Sequence, residues 1–113
     1  MTNPKITSFG EFIKTQREQK GWTQTEFGAK IGINSSAVSR IENGTKQLSS
    51  KKLRTLAQVF EIEISKISEL YFAHKFAKEM IEYNCPESTL TVAEQALRYI
   101  KAKSSKQLKW DTL

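Results

Sequence analysis

The chain has 113 residues, 38% of them hydrophobic and 27% charged, with a net charge of +6, which suits one small globular domain with a helical extension. No run of about 18 apolar residues is present, which excludes a membrane span, and Met1-Thr2-Asn3-Pro4-Lys5 leads into no apolar stretch of the kind a secretory signal needs. The single cysteine, Cys85, leaves no internal disulfide and no multi-cysteine zinc site, so the expected compartment is the cytoplasm. The charge is unevenly divided. Residues 1–60 carry ten Lys/Arg against four Glu, residues 61–100 four against seven, and residues 101–113 four Lys against Asp111. A basic excess confined to one module and a short tail suits a polyanionic partner, although charge alone does not decide it.

Periodicity is helical throughout. A first helix is expected from Phe9 to about Lys20, with Ser8 and Glu11 in capping-box spacing, Phe9, Phe12 and Ile13 as its stripe, and Gly21 ending it. A second begins after Thr23, where Thr23-Gln24-Thr25-Glu26 is another capping box; it buries Phe27 and Ile31 and stops at Gly32. A third runs from Ser35 to about Glu42 behind an Asn34 N-cap, with Val38 and Ile41 inward, and Asn43-Gly44 closes it. A fourth follows Ser49 or Ser50 and carries Leu53, Leu56, Ala57 and Phe60. A long helix is then expected from Ser65 to about Tyr83, and after Pro86 a last one from about Leu90 to Ala102. The fold class is all-α: short elements joined by tight polar turns into a bundle, extended by C-terminal helices. The division is 1–64 for the N-terminal bundle, 65–102 for the extension and 103–113 for a basic flexible tail, on which Trp110 is free to dock.

The stretch Thr23–Asn43 meets several steric requirements together. Two short helices crossing steeply need a small residue where they press on each other, and Gly28 is there beside Ala29. The tight turn needs positive φ, which Gly32 supplies. Phe27, Ile31, Ile33, Val38 and Ile41 share one interior only if the chain turns at Gly32. With Val38 and Ile41 inside, Asn34, Ser35, Ser36, Ser39 and Arg40 face outward. A helix of this size fits the major groove, where Asn pairs with adenine edges, Arg with guanine and Ser with either.

The runs Thr23-Gln24-Thr25-Glu26-Phe27 and Ser39-Arg40-Ile41-Glu42-Asn43-Gly44 resemble the lambdoid repressor/Cro family, the xenobiotic-response-element-type regulators, over roughly residues 9–70. The resemblance implies a repressor-like five-helix domain, usually a symmetric dimer on a palindromic operator in double-stranded DNA. It assigns Gln24 to the DNA backbone and to bracing a recognition side chain. Asn34, Ser35 and Ser36 would read bases with Arg40 one turn on, and Asn43 and Lys46 would touch phosphates. The expected DNA-binding set is thus Gln24, Thr25, Asn34, Ser35, Ser36, Ser39, Arg40, Asn43 and Lys46. Arg17 and Glu42 fall where the family forms a partly buried ion pair, and Gly28 stands where it more often has alanine.

Little points to catalysis, a metal or a cofactor. His74 and Cys85 are single and lie on different segments, and Glu61/Glu63 and Glu79/Glu82 have the spacing of solvated helix surfaces. Cys85 is expected to be semi-buried, and Trp22 to be core. Residues 65–102 are acidic, yet Leu70, Tyr71, Phe72, Phe76, Met80 and Tyr83 exceed what one amphipathic face buries. They are expected to form a homodimer interface, or to fold back on their own bundle. The resulting reading is a transcriptional repressor or autoregulator, with restriction–modification genes as one target. The alternative is an antitoxin whose C-terminal helices bind a toxin.

Overall fold

The computed structural model describes the backbone of residues 8–111 and the side chains of residues 8–104. The described residues form six α-helices: α1 (Phe9–Gln19), α2 (Gln24–Ile31), α3 (Ser35–Glu42), α4 (Leu53–Phe60), α5 (Ile64–Glu82) and α6 (Thr89–Asp111), with a 3-10 turn at Ser50–Lys52 before α4. The first three begin as their sequences dictate, on side-chain caps. Ser8 Oγ accepts the Glu11 N–H at 3.0 Å. Thr23 and Glu26 satisfy each other's backbone donors at 3.0 and 2.8 Å, and Asn34 Oδ1 accepts the Ala37 N–H at 2.8 Å.

Five helices end in one device, a left-handed residue that folds the next backbone donors onto the last turn. That residue is Gly21, Gly32 and Gly44 after α1, α2 and α3, Glu61 (φ 59°) after α4, and Asn84 (φ 58°) after α5. After α1, for instance, Gly21 N–H reaches Glu18 O at 3.0 Å and Trp22 N–H reaches Arg17 O at 3.1 Å, so carbonyls that the helix leaves open are satisfied.

The chain divides into two compact units, one through Phe76 and one from Ala77 onward. In the first, α1 to α4 and the start of α5 enclose a single core of Phe9, Ile13, Phe27, Ile31, Val38, Ile41, Leu48, Leu53, Leu56, Ala57, Phe60, Ile67 and Tyr71. Phe27 and Phe60 stack at 5.2 Å with Trp22 alongside both, so Trp22 is core-packed and half-buried. The sequence division at residue 64 placed Tyr71 in an interface extension. In the structure Ile67 and Tyr71 are buried among the N-terminal helices, and the first unit extends through Phe76.

In the second unit, Ala77 onward, no described side chain is fully buried. Ile81, Tyr83, Leu90, Val92, Leu97, Tyr99 and Ile100 are all more than half exposed. Cys85 is exposed, not semi-buried, because it sits in the turn after α5 with no helix packed over it. The helical backbone of α6 continues to Asp111, through most of the segment assigned to a flexible tail, since Lys103 to Asp111 contains no glycine or proline to stop it. The side chain of Trp110 lies outside the described residues. Among the described residues no helix is long and apolar enough to cross a membrane.

Candidate nucleic-acid interface

Two close approaches set the shape of the helix-turn-helix. A Cβ on Gly28 would lie 2.4 Å from the Ile33 carbonyl oxygen and 3.2 Å from Val38 Cγ2, so α2 and the turn meet at backbone contact. A Cβ on Gly10 would lie 2.3 Å from Ile41 O and 2.7 Å from Glu42 O, so α1 presses equally closely on the end of α3. Gly32, at φ 80°, makes the turn between α2 and α3.

At the junction of α1, α2 and α3 sits a buried polar network. Arg17 Nε donates to Glu42 Oε2 at 2.6 Å and a terminal guanidinium nitrogen donates to Oε1 at 3.0 Å, while the other terminal nitrogen donates to Trp22 O at 2.8 Å. Arg17 and Glu42 are 8% and 5% exposed, which makes this a bidentate pair shielded from water. The hydrogen bond to Glu42, first, and the charge of Glu42 hold the Arg17 pKa above its ordinary value, although burial works against that. Gln24 Nε2 donates to the same Glu42 Oε1 at 3.1 Å. The first residue of α2 is thereby tied to the core through α3.

Pairing Glu42 inside has a consequence outside. Residues 27–60 contain Lys30, Arg40, Lys46, Lys51, Lys52 and Arg54, and their single acid is Glu42. With that carboxylate buried against Arg17, this stretch presents cations to solvent and no carboxylate.

The structure distributes the expected site residues as follows. Ala37, Val38, Ile41 and Glu42 form the buried side of α3. Ser35, Ser36 and Arg40 are exposed on its other side, with Ser39 half-buried. Thr25 is exposed at the start of α2 and Gln24 is half-buried. Asn34 is exposed, but its Oδ1 is engaged as the α3 cap, which leaves only its Nδ2 to donate to a partner. Asn43 folds its Oδ1 onto the Thr45 N–H (3.1 Å) and the Thr45 hydroxyl (2.8 Å), so its Nδ2 also remains as a donor. Lys46 is exposed in the α3–α4 loop, its backbone N–H held by Arg40 O at 3.2 Å.

Sequence reasoning missed two residues around this surface. Gly10 lies in the first turn of a helix, where a glycine gives no pattern. Tyr71 stands beyond the expected boundary, yet its hydroxyl donates to Leu48 O and accepts from Gln47 Nε2 at 3.1 Å.

A family model described as helix-turn-helix matches residues 13–67, the stretch that holds α2, the turn and α3. The chain belongs to the Cro/cI-like helix-turn-helix family. Members of this family are DNA-binding transcriptional regulators. Antitoxin HipB of Escherichia coli K12 is 30% identical over 59 residues, 52% of this chain and 67% of HipB. HipB of E. coli CFT073 is 32% identical over 59 residues, and there the similarity spans 63% of the relative, less than two thirds of its length. The P22 c2 repressor, solved in complex with a synthetic operator, superposes with a TM-score of 0.50 at 20% identity, over 54% of this chain and 92% of that one. That last likeness is one of fold. The matched residues run from α1 into the start of α5 and contain both helices of the helix-turn-helix.

Proposed function

We propose that the protein is a transcriptional repressor or autoregulator that binds operator DNA as a homodimer, with α3 in the major groove. The observation that carries this reading is the face built by α3 and the loop after it: Ser35, Ser36 and Arg40 outward, Lys46 beyond, and the one carboxylate of residues 27–60 withdrawn into the core. In this reading Arg40 reads a guanine edge, Ser35, Ser36 and Ser39 accept or donate at base edges, and Asn34 contributes through Nδ2 alone while capping α3. Gln24, Thr25, Asn43 and Lys46 engage the backbone, Gln24 in the orientation Glu42 gives it.

The second unit supports the dimer. At 100° per residue, Leu90, Val92, Ala93, Ala96, Leu97, Tyr99 and Ile100 sweep about half the circumference of α6, wider than the narrow seam one partner helix covers. Most of a helix's stability in a protein comes from packing of its apolar face rather than from propensity. Two copies, each bringing the end of α5 and α6, supply the several helices such an arc needs and space the two α3 helices about one DNA turn, roughly 34 Å, apart. The same exposed face supports a second reading, an antitoxin that holds a toxin there, which the likeness to HipB antitoxins favours.

The test is protection mapping on the DNA upstream of its own gene and of any neighbouring restriction–modification or toxin genes, followed by a salt series. Arg40→Ala is expected to cost about 1–3 kcal/mol on operator DNA and to relax one base pair, and Lys46→Ala to weaken all DNA alike and flatten the salt slope by about one. Wild-type affinity in both variants across the series would remove the proposed face. Light scattering separates the two partner readings: a dimer mass supports the homodimer, and a monomer at micromolar concentration refutes it.

A further inference from the structure

We propose that Tyr71 is a positioning residue for DNA binding, fixing the loop that carries Asn43 and Lys46. The proposal rests on the DNA-binding reading above and extends it to a residue of α5 that lies outside the helix-turn-helix.

The loop from Asn43 to Ser49 has two ends and they are held differently. At the α3 end, Arg40 O accepts the N–H groups of Thr45 (2.9 Å) and Lys46 (3.2 Å), and Asn43 Oδ1 closes a turn onto Thr45. These bonds are local and exposed to water. At the α4 end, Leu48 is buried at 3% exposure, and its carbonyl must find a donor inside the protein. The Tyr71 hydroxyl is that donor, and it simultaneously accepts from Gln47 Nε2. One side chain therefore binds the two residues that follow Lys46.

Tyr71 can act as a fixed post because it has no freedom of its own. It is 5% exposed, and its ring meets Phe9 edge-on at 5.2 Å and Phe72 at 4.9 Å. Phe9 belongs to α1, the helix that bears Arg17. The Lys46 side chain thus leaves a backbone pinned on one side by α3 and on the other by α5. A lysine reaching a phosphate from a fixed backbone gives up less freedom on binding than one on a loose loop.

The hydroxyl can be removed alone. Tyr71→Phe keeps the ring, its edge-on contacts and its burial, and the loss of the buried bond to Leu48 O and the partly buried one from Gln47 leaves the domain folded, as a melting curve would show. Three results are expected. Amide hydrogen exchange at Thr45 to Ser49 accelerates while that of α1 and α2 does not, because the loop opens locally. Affinity for operator and for unrelated DNA falls together, by about three- to tenfold, the worth of one hydrogen bond or one phosphate contact. Lys46→Ala costs less in the Tyr71→Phe background than in the wild type, since the two changes remove one contact. A residue with only a structural role would destabilise the protein without this coupling. Unchanged exchange at 45–49, or full additivity with Lys46→Ala, overturns the proposal. If wild-type protein shows no affinity for DNA at all, the DNA-binding reading fails, whatever the exchange pattern.

Discussion

Replacing Arg17 by methionine is the most informative single perturbation of the fold. The change keeps much of the apolar stem and removes the guanidinium, so packing is largely retained and the polar network is not. Glu42, 5% exposed, loses both bonds from Arg17 and keeps only the Gln24 donor at 3.1 Å, while Trp22 O loses its 2.8 Å donor. A buried carboxylate stripped of its cation costs about 3–5 kcal/mol, a large share of the roughly 5–15 kcal/mol available to a domain. At about 4–8 °C per kcal/mol for a domain of this size, the melting temperature should fall by roughly 12–40 °C. Urea denaturation followed by helical circular dichroism measures it, with the slope checked for two-state behaviour. Arg17→Met with Glu42→Leu should recover much of the loss, because no charge is then stranded. The pH response follows from the raised Arg17 pKa, whose first cause is the hydrogen bond to Glu42. Such a group contributes stability in full below its unfolded pKa and loses it only as pH rises through the higher folded one. For arginine that window lies beyond mild alkali, so the pair should persist from neutral pH to about pH 10. A loss under about 1 kcal/mol in Arg17→Met, or a double variant no better than the single, would refute the reasoning.

Three other outcomes are expected. Gly28→Ala should destabilise the protein by up to about 2 kcal/mol, since overpacking by a methyl costs about 1–3 kcal/mol and outweighs the helix propensity gained, roughly 1 kcal/mol; a higher urea midpoint would show that α2 and the turn can separate. Glu61→Gly should raise stability by about 1 kcal/mol, because Glu61 closes α4 at φ 59°, where a side chain is strained and glycine is not. The carboxylate given up there contacts Lys20 only at 3.9 Å and is 81% exposed, so its loss offsets little; an unchanged melting temperature would sink this idea. In the homodimer reading, thermal unfolding should show an early helical transition that moves with protein concentration, and a later one, from the unit through Phe76, that does not. A single concentration-independent transition would count against it.

What was legible in the sequence was whatever leaves a periodic or capping signal. Thr23 with Glu26, Asn34 before α3, and Gly32 between two apolar stripes each state their conformation locally, and the helix-turn-helix followed from their agreement. The pairing of Arg17 with Glu42 was not readable from periodicity; it came through resemblance, because charges 25 residues apart have no local signature. Tyr71 was misplaced for a physical reason. On α5, Ile67 and Tyr71 lie four residues apart on one face, while Phe72, Phe76 and Met80 repeat the same spacing one residue later. That shift turns the apolar face by about 100°, and a stripe count merges the two faces into one. Glu61 gave no signal at all, since a left-handed helix end without glycine looks like any exposed glutamate. Asn34 was legible both as the α3 cap and as a groove residue; the cap bond takes its Oδ1 and leaves Nδ2 for the second task.

If α3 reads DNA as proposed, the Arg17–Glu42 pair joins folding to recognition in a way that Arg40 does not. Arg40 projects from α3 with no charged partner among its described contacts, so changing it should alter DNA affinity and leave the melting curve alone. Glu42 cannot be treated so. It accepts from Arg17 and thereby closes α1 on α3, it accepts from Gln24 and thereby orients the start of α2, and by being buried it clears residues 27–60 of exposed negative charge. In the proposed DNA-binding reading, a carboxylate in solvent at that point would meet a phosphate backbone with like charge. Withdrawn and paired, it contributes order to the same surface from which its charge is absent. Stability and DNA affinity should therefore fall together in variants of Arg17 and Glu42 and separately in variants of Arg40 and Lys46. That contrast is the physical distinction between residues that build the surface and residues that use it.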